Sequence, residues 1–194
     1  MSETHPIVFG YAAEGFLAAK VGDSTYAMLP TRAGHHIFAS GLSTDQPVEA
    51  LSSEDFFSYA GTILDEAAFR AAVEQKRQHF LELDRLSRRR ERPCLSTPWG
   101  ASQWTTIYGD GVRKHSCAGH GGFELTPERN RHVPAPLYNS GGWYEEDCEW
   151  AAVATAFPEL FTTLERQEAE RCIRAFDHEA WKAIFGQAHQ EEAA

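Results

Sequence analysis

Apolar positions along this chain fall first into short alternating runs and then into helical stripes. Phe16 to Val21 and Thr25 to Leu29 flank Gly22-Asp23-Ser24, the pattern of a β-hairpin around a tight turn. Ile37 to Ala39 adds a further short strand, and residues 40–53, rich in Ser, Gly and Pro, read as loop. The period then changes. Phe69, Val73, Phe80 and Leu83 recur close to 3.6-residue spacing and predict one long helix from about Asp65, its cap, to Arg89. In this reading Arg88-Arg89-Arg90 end the helix, where cations offset the macrodipole, and Pro93 stops it.

A second block of strands follows. Gln103 to Tyr108 and Val112 to Cys117 surround Gly109-Asp110-Gly111, a strong hairpin signal, and Phe123 to Leu125 is a third short strand. Thr126-Pro127 has the chemistry of a helix start. Three helical patterns close the chain, at about Glu145 to Ala156, Thr163 to Phe176 and His178 to Phe185, and Gln190 to Ala194 read as a frayed tail. Together these elements predict an α+β fold in which a small antiparallel sheet and hairpins pack against several helices. The arginine-rich run marks the expected boundary. Residues 1–92 form an N-terminal hairpin and long-helix region, and residues 93–194 form a C-terminal α+β domain. The hairpin over 103–117 is expected to pack on the helix starting near Glu145, with the last two helices covering the other side.

Composition narrows the possibilities. A chain of 194 residues with 42% hydrophobic content can bury a core without needing a disulfide or metal merely to fold. No apolar segment follows the polar first residues, and no run approaches the roughly 18 apolar residues of a membrane span. A cytoplasmic location without a membrane partner is therefore expected. The four cysteines, Cys94, Cys117, Cys148 and Cys172, are widely spaced and read as reduced thiols. A net charge of −10 repels phosphate backbones, so nucleic acid is not an expected partner, whereas a protein with a basic face is.

Two segments could carry chemistry. In His115-Ser116-Cys117-Ala118-Gly119-His120-Gly121-Gly122, glycines permit positive φ and close approach to a ligand, and exposed N–H groups at Gly121 and Gly122 would hold an anion. His115 is a further ligand-binding candidate. An imidazole at His120 can give or take a proton near neutral pH. In Trp143-Tyr144-Glu145-Glu146-Asp147-Cys148, three acids open the expected helix, where they would complement its dipole, and at least one should lean towards the core. Cys117, His120, Glu145 and Cys148 are ligand types that zinc accepts, and Cys148 activated by His120 would make a thiol nucleophile. Without a Cys-x-x-Cys half, no cofactor and no tightly bound stoichiometric zinc is expected. The chain has no Gly-x-Ser-x-Gly elbow, no Walker loop and no dinucleotide fingerprint, and His178-Glu179 lacks the second histidine of a metalloprotease helix.

The string Thr97-Pro98-Trp99-Gly100, Gln103, Gly111, His115-Ser116, Gly119-His120-Gly121-Gly122, Trp143 to Cys148 and Phe157-Pro158 resembles an uncharacterised domain family of plasmids, phages and accessory regions of Proteobacteria. The resemblance covers about Thr97 to Gly186. Position 117 is Cys where the pattern has Thr, whereas His120 and the acids Glu145 to Asp147 match it. It implies an accessory protein of mobile elements and no particular mechanism. Two functions follow from the residues. One is an enzyme of hydrolysis or group transfer on a small-molecule substrate, with His120, Glu145, Glu146 and Asp147 lining a cleft. The other is a non-catalytic acidic module that docks on a basic host or defence-system protein. The central expectation is that His120 meets the acids near Tyr144.

Overall fold

The computed structural model describes residues 4–192, with side chains up to Gly186. The chain divides into two compact units, residues 1–81 and 82–194. The α+β class is as the sequence patterns predict.

In the first unit, strands β1 (Ile7–Tyr11), β2 (Leu17–Val21), β3 (Ser24–Pro30), β4 (His36–Gly41) and β5 (Phe56–Ile63) form an antiparallel meander in chain order. Helix α1 (Glu66–Leu86) follows, and Asp65 caps it by accepting from the Ala68 N–H at 2.8 Å. Alternation along β2 separates two small cores. Leu17, Ala19 and Val21 pack with Phe69 and Val73 of α1. Ala18, with Ala27 and Ala39, packs on the other face with Val48, Leu51 and Phe56. The segment read as loop thus covers a sheet face, and Lys20 holds it through the carbonyls of Thr44 and Gln46. Strand β5 was not anticipated. Its central residues are exposed on both faces, so no alternation marks it.

The long helix ends earlier than its arginines suggest. Ser87 takes φ 50°, which breaks the helix after Leu86. Arg89–Glu91 then form strand β6, so residues 82–92 belong with the second unit. Arg88 is mostly buried rather than capping a helix end. It pairs with Glu165 at 2.7 Å, donates to the Leu160 carbonyl and lies 3.9 Å over the Tyr108 ring.

Past β6, the second unit contains β7 (Ser96–Thr97) and β8 (Gly100–Ala101), which form a small hairpin. Strands β9 (Trp104–Gly109), β10 (Val112–Ser116), β11 (Gly121–Leu125) and β12 (Trp143–Glu145) complete a five-stranded antiparallel sheet ordered β12-β11-β10-β9-β6. Helix α2 (Pro127–Asn130) starts at Thr126, whose hydroxyl accepts from the Arg129 N–H. Helices α3 (Trp150–Ala156), α4 (Thr163–Phe176) and α5 (His178–Glu192) follow. Residues 190–192 of the expected frayed tail continue α5, and residues 193 and 194 lie outside the described residues.

One core joins Val112, Phe123, Leu125 and Tyr144 of the sheet to Ala151–Ala154, Ala169, Ile173 and Ala180. Helix α3 packs on the sheet, α4 packs on α3 and α5 on α4, all within this one core. The helix expected from Glu145 begins only at Trp150. Trp143–Glu145 instead pair with β11, and period-two alternation turns Tyr144 inward. Its hydroxyl donates to Asn130 at 2.6 Å and accepts from the Asn139 N–H, tying the long β11–β12 connection to the core. Among the described residues, no helix is long and apolar enough to cross a membrane.

Candidate functional site

The sheet face away from the helices carries the candidate site. Phe123 and Tyr144 point to the helical core, so their strand neighbours Gly122 and Glu145 point the other way. Cross-strand pairing extends this into a row of Thr105, His115, Gly122 and Glu145.

His115 lies within this row but is fully buried. Its Nε2 meets Glu124 Oε2 at 3.1 Å and its Nδ1 meets the Thr105 hydroxyl at 2.9 Å. In the neutral tautomer, Nε2–H donates to the carboxylate and Nδ1 accepts from Thr105. Both ring nitrogens are thus used inside the protein, which makes His115 a structural clasp rather than a ligand-facing group.

The sequence pattern predicts a glycine loop with φ > 0 and free donors here. The structure corrects this. Gly119, Gly121 and Gly122 are all absent from the positive-φ glycines, and the last two lie inside β11 between β10 and β12. They are glycines because of close approach. A Cβ on Gly122 would come within 2.3 Å of the Trp99 ring and of the Tyr144 carbonyl. One on Gly121 would meet the His115 carbonyl at 2.4 Å and Glu146 Oε2 at 2.9 Å. Trp99 stands edge-on to Trp143 with ring centres 5.8 Å apart, and Trp143 faces the His115 ring. The sequence places Trp99 and Trp143 in the motif string without a role, and it does not single out Thr105 or Glu124. Period-two alternation from Phe123 could have placed Glu124 and Trp143 on this face.

His120 closes the β10–β11 turn, where the Cys117 N–H donates to the His120 carbonyl at 2.9 Å. Its side chain is 64% exposed, and Nδ1 lies 3.5 Å from Glu145 Oε1. The expected meeting of His120 with the acids is present in the geometry, at a strand end rather than at a helix start. Glu146 follows in the turn, its N–H donating to the Gly121 carbonyl. The ligand atoms of His120, Glu145 and Glu146 all lie within 4.8 Å of one another. Asp147 is exposed and outside that group. Its N–H donates to Glu145 Oε2 at 2.7 Å, while the Glu145 N–H donates to Glu149 Oε2. These acids satisfy amides of their own turn instead of a helix dipole. Glu145 is thereby held through Oε2, and its Oε1 is shielded from solvent with no hydrogen-bond partner.

The cysteines go elsewhere. Cys117 Sγ lies 3.4 Å from the Thr97 hydroxyl. Cys148 lies beside Cys172, whose thiol donates to the Cys148 carbonyl at 3.7 Å, and both line a cavity of about 510 Å³ with Leu137, Tyr138 and Phe176. Burial, with Cys148 alongside, pushes the Cys172 thiol up to about 11. Neither Cys117 nor Cys148 joins the group around His120, so the four-ligand zinc set is not assembled. On the site's own sheet face, a depression of about 470 Å³ is lined by Arg89, Glu91, Thr105 and Arg113.

The model of a domain of unknown function, DUF7007, matches residues 92–194, just over half of the chain. The chain belongs to the DUF7007 family. Every residue of the His120 cluster, and Trp99 and Trp143 as well, lies inside the DUF7007 match, and the first unit lies outside it. No curated protein and no solved structure matches the chain.

Proposed function

We propose that the DUF7007 domain of this chain catalyses hydrolysis or group transfer on a small-molecule substrate, with His120 and Glu145 handling the proton. The observation that carries this reading is the buried, unpartnered Glu145 Oε1 facing a mostly exposed imidazole. A buried carboxylate oxygen without a partner is costly and calls for a donor or a cation. With the proton on Nδ1, a small rotation of His120 supplies that donor and leaves Nε2 facing solvent. Nε2 then takes a proton from water or a substrate hydroxyl as its oxygen bonds to the electrophile. The resulting imidazolium, stabilised by Glu145, returns the proton to the leaving group as its bond breaks. The accessory role in mobile elements belongs to this reading through the motif resemblance.

The test is a panel of chromogenic esters, phosphate esters and glycosides, run with wild type, His120→Gln and Glu145→Gln. Turnover of at least one substrate class should fall about 100-fold or more in both variants, with circular dichroism unchanged. No wild-type turnover across the panel, or turnover indifferent to both substitutions, defeats the reading.

A second reading, the acidic docking module, draws on a different observation. Strand β5 is an edge strand with Phe57 59% and Tyr59 60% exposed. No Lys or Arg occurs from residue 33 to 69, and Glu54, Asp55, Asp65 and Glu66 flank the strand. Such an edge suits strand addition by an extended basic segment of a host or defence-system protein. A peptide alternating Val and Lys should bind, and Phe57→Ser with Tyr59→Ser should weaken it. Equal binding of an alternating Val and Glu peptide removes this reading.

A further inference from the structure

We propose that His120, Glu145 and Glu146 form a binding site for an exchangeable divalent first-row metal ion of the Mn²⁺ type. This inference rests on the catalytic reading of the same residues and names the cofactor that would serve it.

One imidazole and two carboxylates suit a cation between the hard and borderline classes, as Mn²⁺ and Zn²⁺ are. The three residues come from two adjacent places in the sheet, the β10–β11 turn and the end of β12, and their ligand atoms lie within 4.8 Å of one another. Ligands at about 2.0–2.2 Å from a metal stand roughly 3.0–3.4 Å apart. The His120 to Glu145 separation of 3.5 Å is already close to that range. Glu146 is only partly buried and sits on a turn, so its carboxylate can close the remaining distance by a rotamer change.

The orienting contacts are independent of the cluster. Glu145 Oε2 is taken by the Asp147 N–H, so Oε1 is the oxygen left to bind, and that oxygen is shielded and accepts no hydrogen bond. Metal ligands are commonly held this way by hydrogen bonds from behind. Gly121 adds a spatial requirement. A side chain there would run into Glu146 Oε2, so the missing Cβ keeps the space into which that carboxylate must reach. Cation binding would also offset the mutual repulsion of the two carboxylates that stand together beside His120.

The site has three protein ligands and an exposed imidazole, so water completes the coordination. That makes it an exchangeable, reaction-competent position and not a sealed structural zinc, which takes four protein ligands. The sequence leads to the expectation of no cofactor and no tightly bound zinc, and this proposal departs from it because Glu146, which the zinc set did not include, stands beside His120 and Glu145. A bound water made more acidic by the ion would become the nucleophile, in place of one deprotonated by Nε2.

The test uses full-length protein stripped with EDTA and titrated with MnCl2, read by calorimetry and by electron paramagnetic resonance. The expected result is about one Mn²⁺ per chain, with affinity falling at least tenfold in His120→Gln and in Glu146→Gln. It should stay within about twofold in Glu128→Gln, an exposed acid on α2. Pulsed resonance should show a ¹⁴N coupling from the imidazole in wild type that disappears in His120→Gln. Absence of saturable binding, or binding unaffected by both site substitutions, overturns the proposal. The two readings separate cleanly. Turnover that persists in EDTA with no Mn²⁺ binding sinks the metal and keeps the proton-transfer site. Mn²⁺ binding at these residues without turnover keeps the metal and sinks the catalysis.

Discussion

His115 and His120 stand five residues apart and have opposite fates. On β10, His115 falls on a row covered by Trp99 and Trp143, and its ring is consumed by Thr105 and Glu124. His120 falls in the turn and keeps most of its surface. Replacing His115 with Ala should lower unfolding free energy by about 2–4 kcal/mol, because two hydrogen bonds are lost and a cavity is opened. His120→Gln should change it by less than about 0.5 kcal/mol, as expected of an exposed position. Urea denaturation of both variants checks the contrast. Gly122→Ala should also destabilise, by about 1–3 kcal/mol, since its methyl would strike the Trp99 ring and the Tyr144 carbonyl. Cys172 supplies a pH dependence. Its thiol is raised from 9.0 to about 11, so the folded state holds the proton more tightly than the unfolded chain. The stability it contributes is complete below pH 9 and is lost as pH rises towards 11. Burial raises Tyr26, Tyr108 and Tyr144 as well, so the wild type loses stability in alkali for several reasons. Cys172→Ala should lose less of its melting temperature than wild type between those two pH values.

At the scale of elements, turns were legible and ends were not. Gly109-Asp110-Gly111 located the β9–β10 hairpin because Gly111 takes φ 72°, a conformation few other residues adopt cheaply. The arginine run misled because the helix-capping pattern is local, whereas the partners of Arg88 lie far along the chain. Glu165 and Tyr108 draw Arg88 onto the helix side of the sheet, and Arg90 and Arg92 both lie over the Trp104 ring. Arg88→Ala should cost about 3–5 kcal/mol by removing the cation paired with the mostly buried Glu165 carboxylate. Arg89→Ala, exposed on β6, should cost far less. Thermal melts of the two variants decide between a capping role, which predicts small and similar effects, and the buried pair. The acids after Tyr144 misled in the same way. Acidic residues favour a helix start and also satisfy a tight turn, and the pairing of Trp143–Glu145 with β11 chose the turn.

Across the whole molecule, the division at residue 81 places the DUF7007 match and all the candidate site residues in one unit. Residues 82–194 expressed alone should therefore fold cooperatively, with dispersed amide resonances and a single melting transition, because their core is closed within the unit. A molten spectrum for this fragment would show that the first unit is needed for its folding. By itself the sequence determined the α+β class, the hairpins, the two C-terminal helices and the two segments that meet at the site. Those features follow from periodicity, glycine turns and residue chemistry, all of which act over a few neighbours. Only the tertiary structure decided that Arg89–Glu91 is a strand, that His115 is sealed while His120 is open, and that Glu146 rather than a cysteine stands third beside His120 and Glu145. Each of these depends on which distant strand lies alongside, and pairing between distant segments is not written in the pattern of either one.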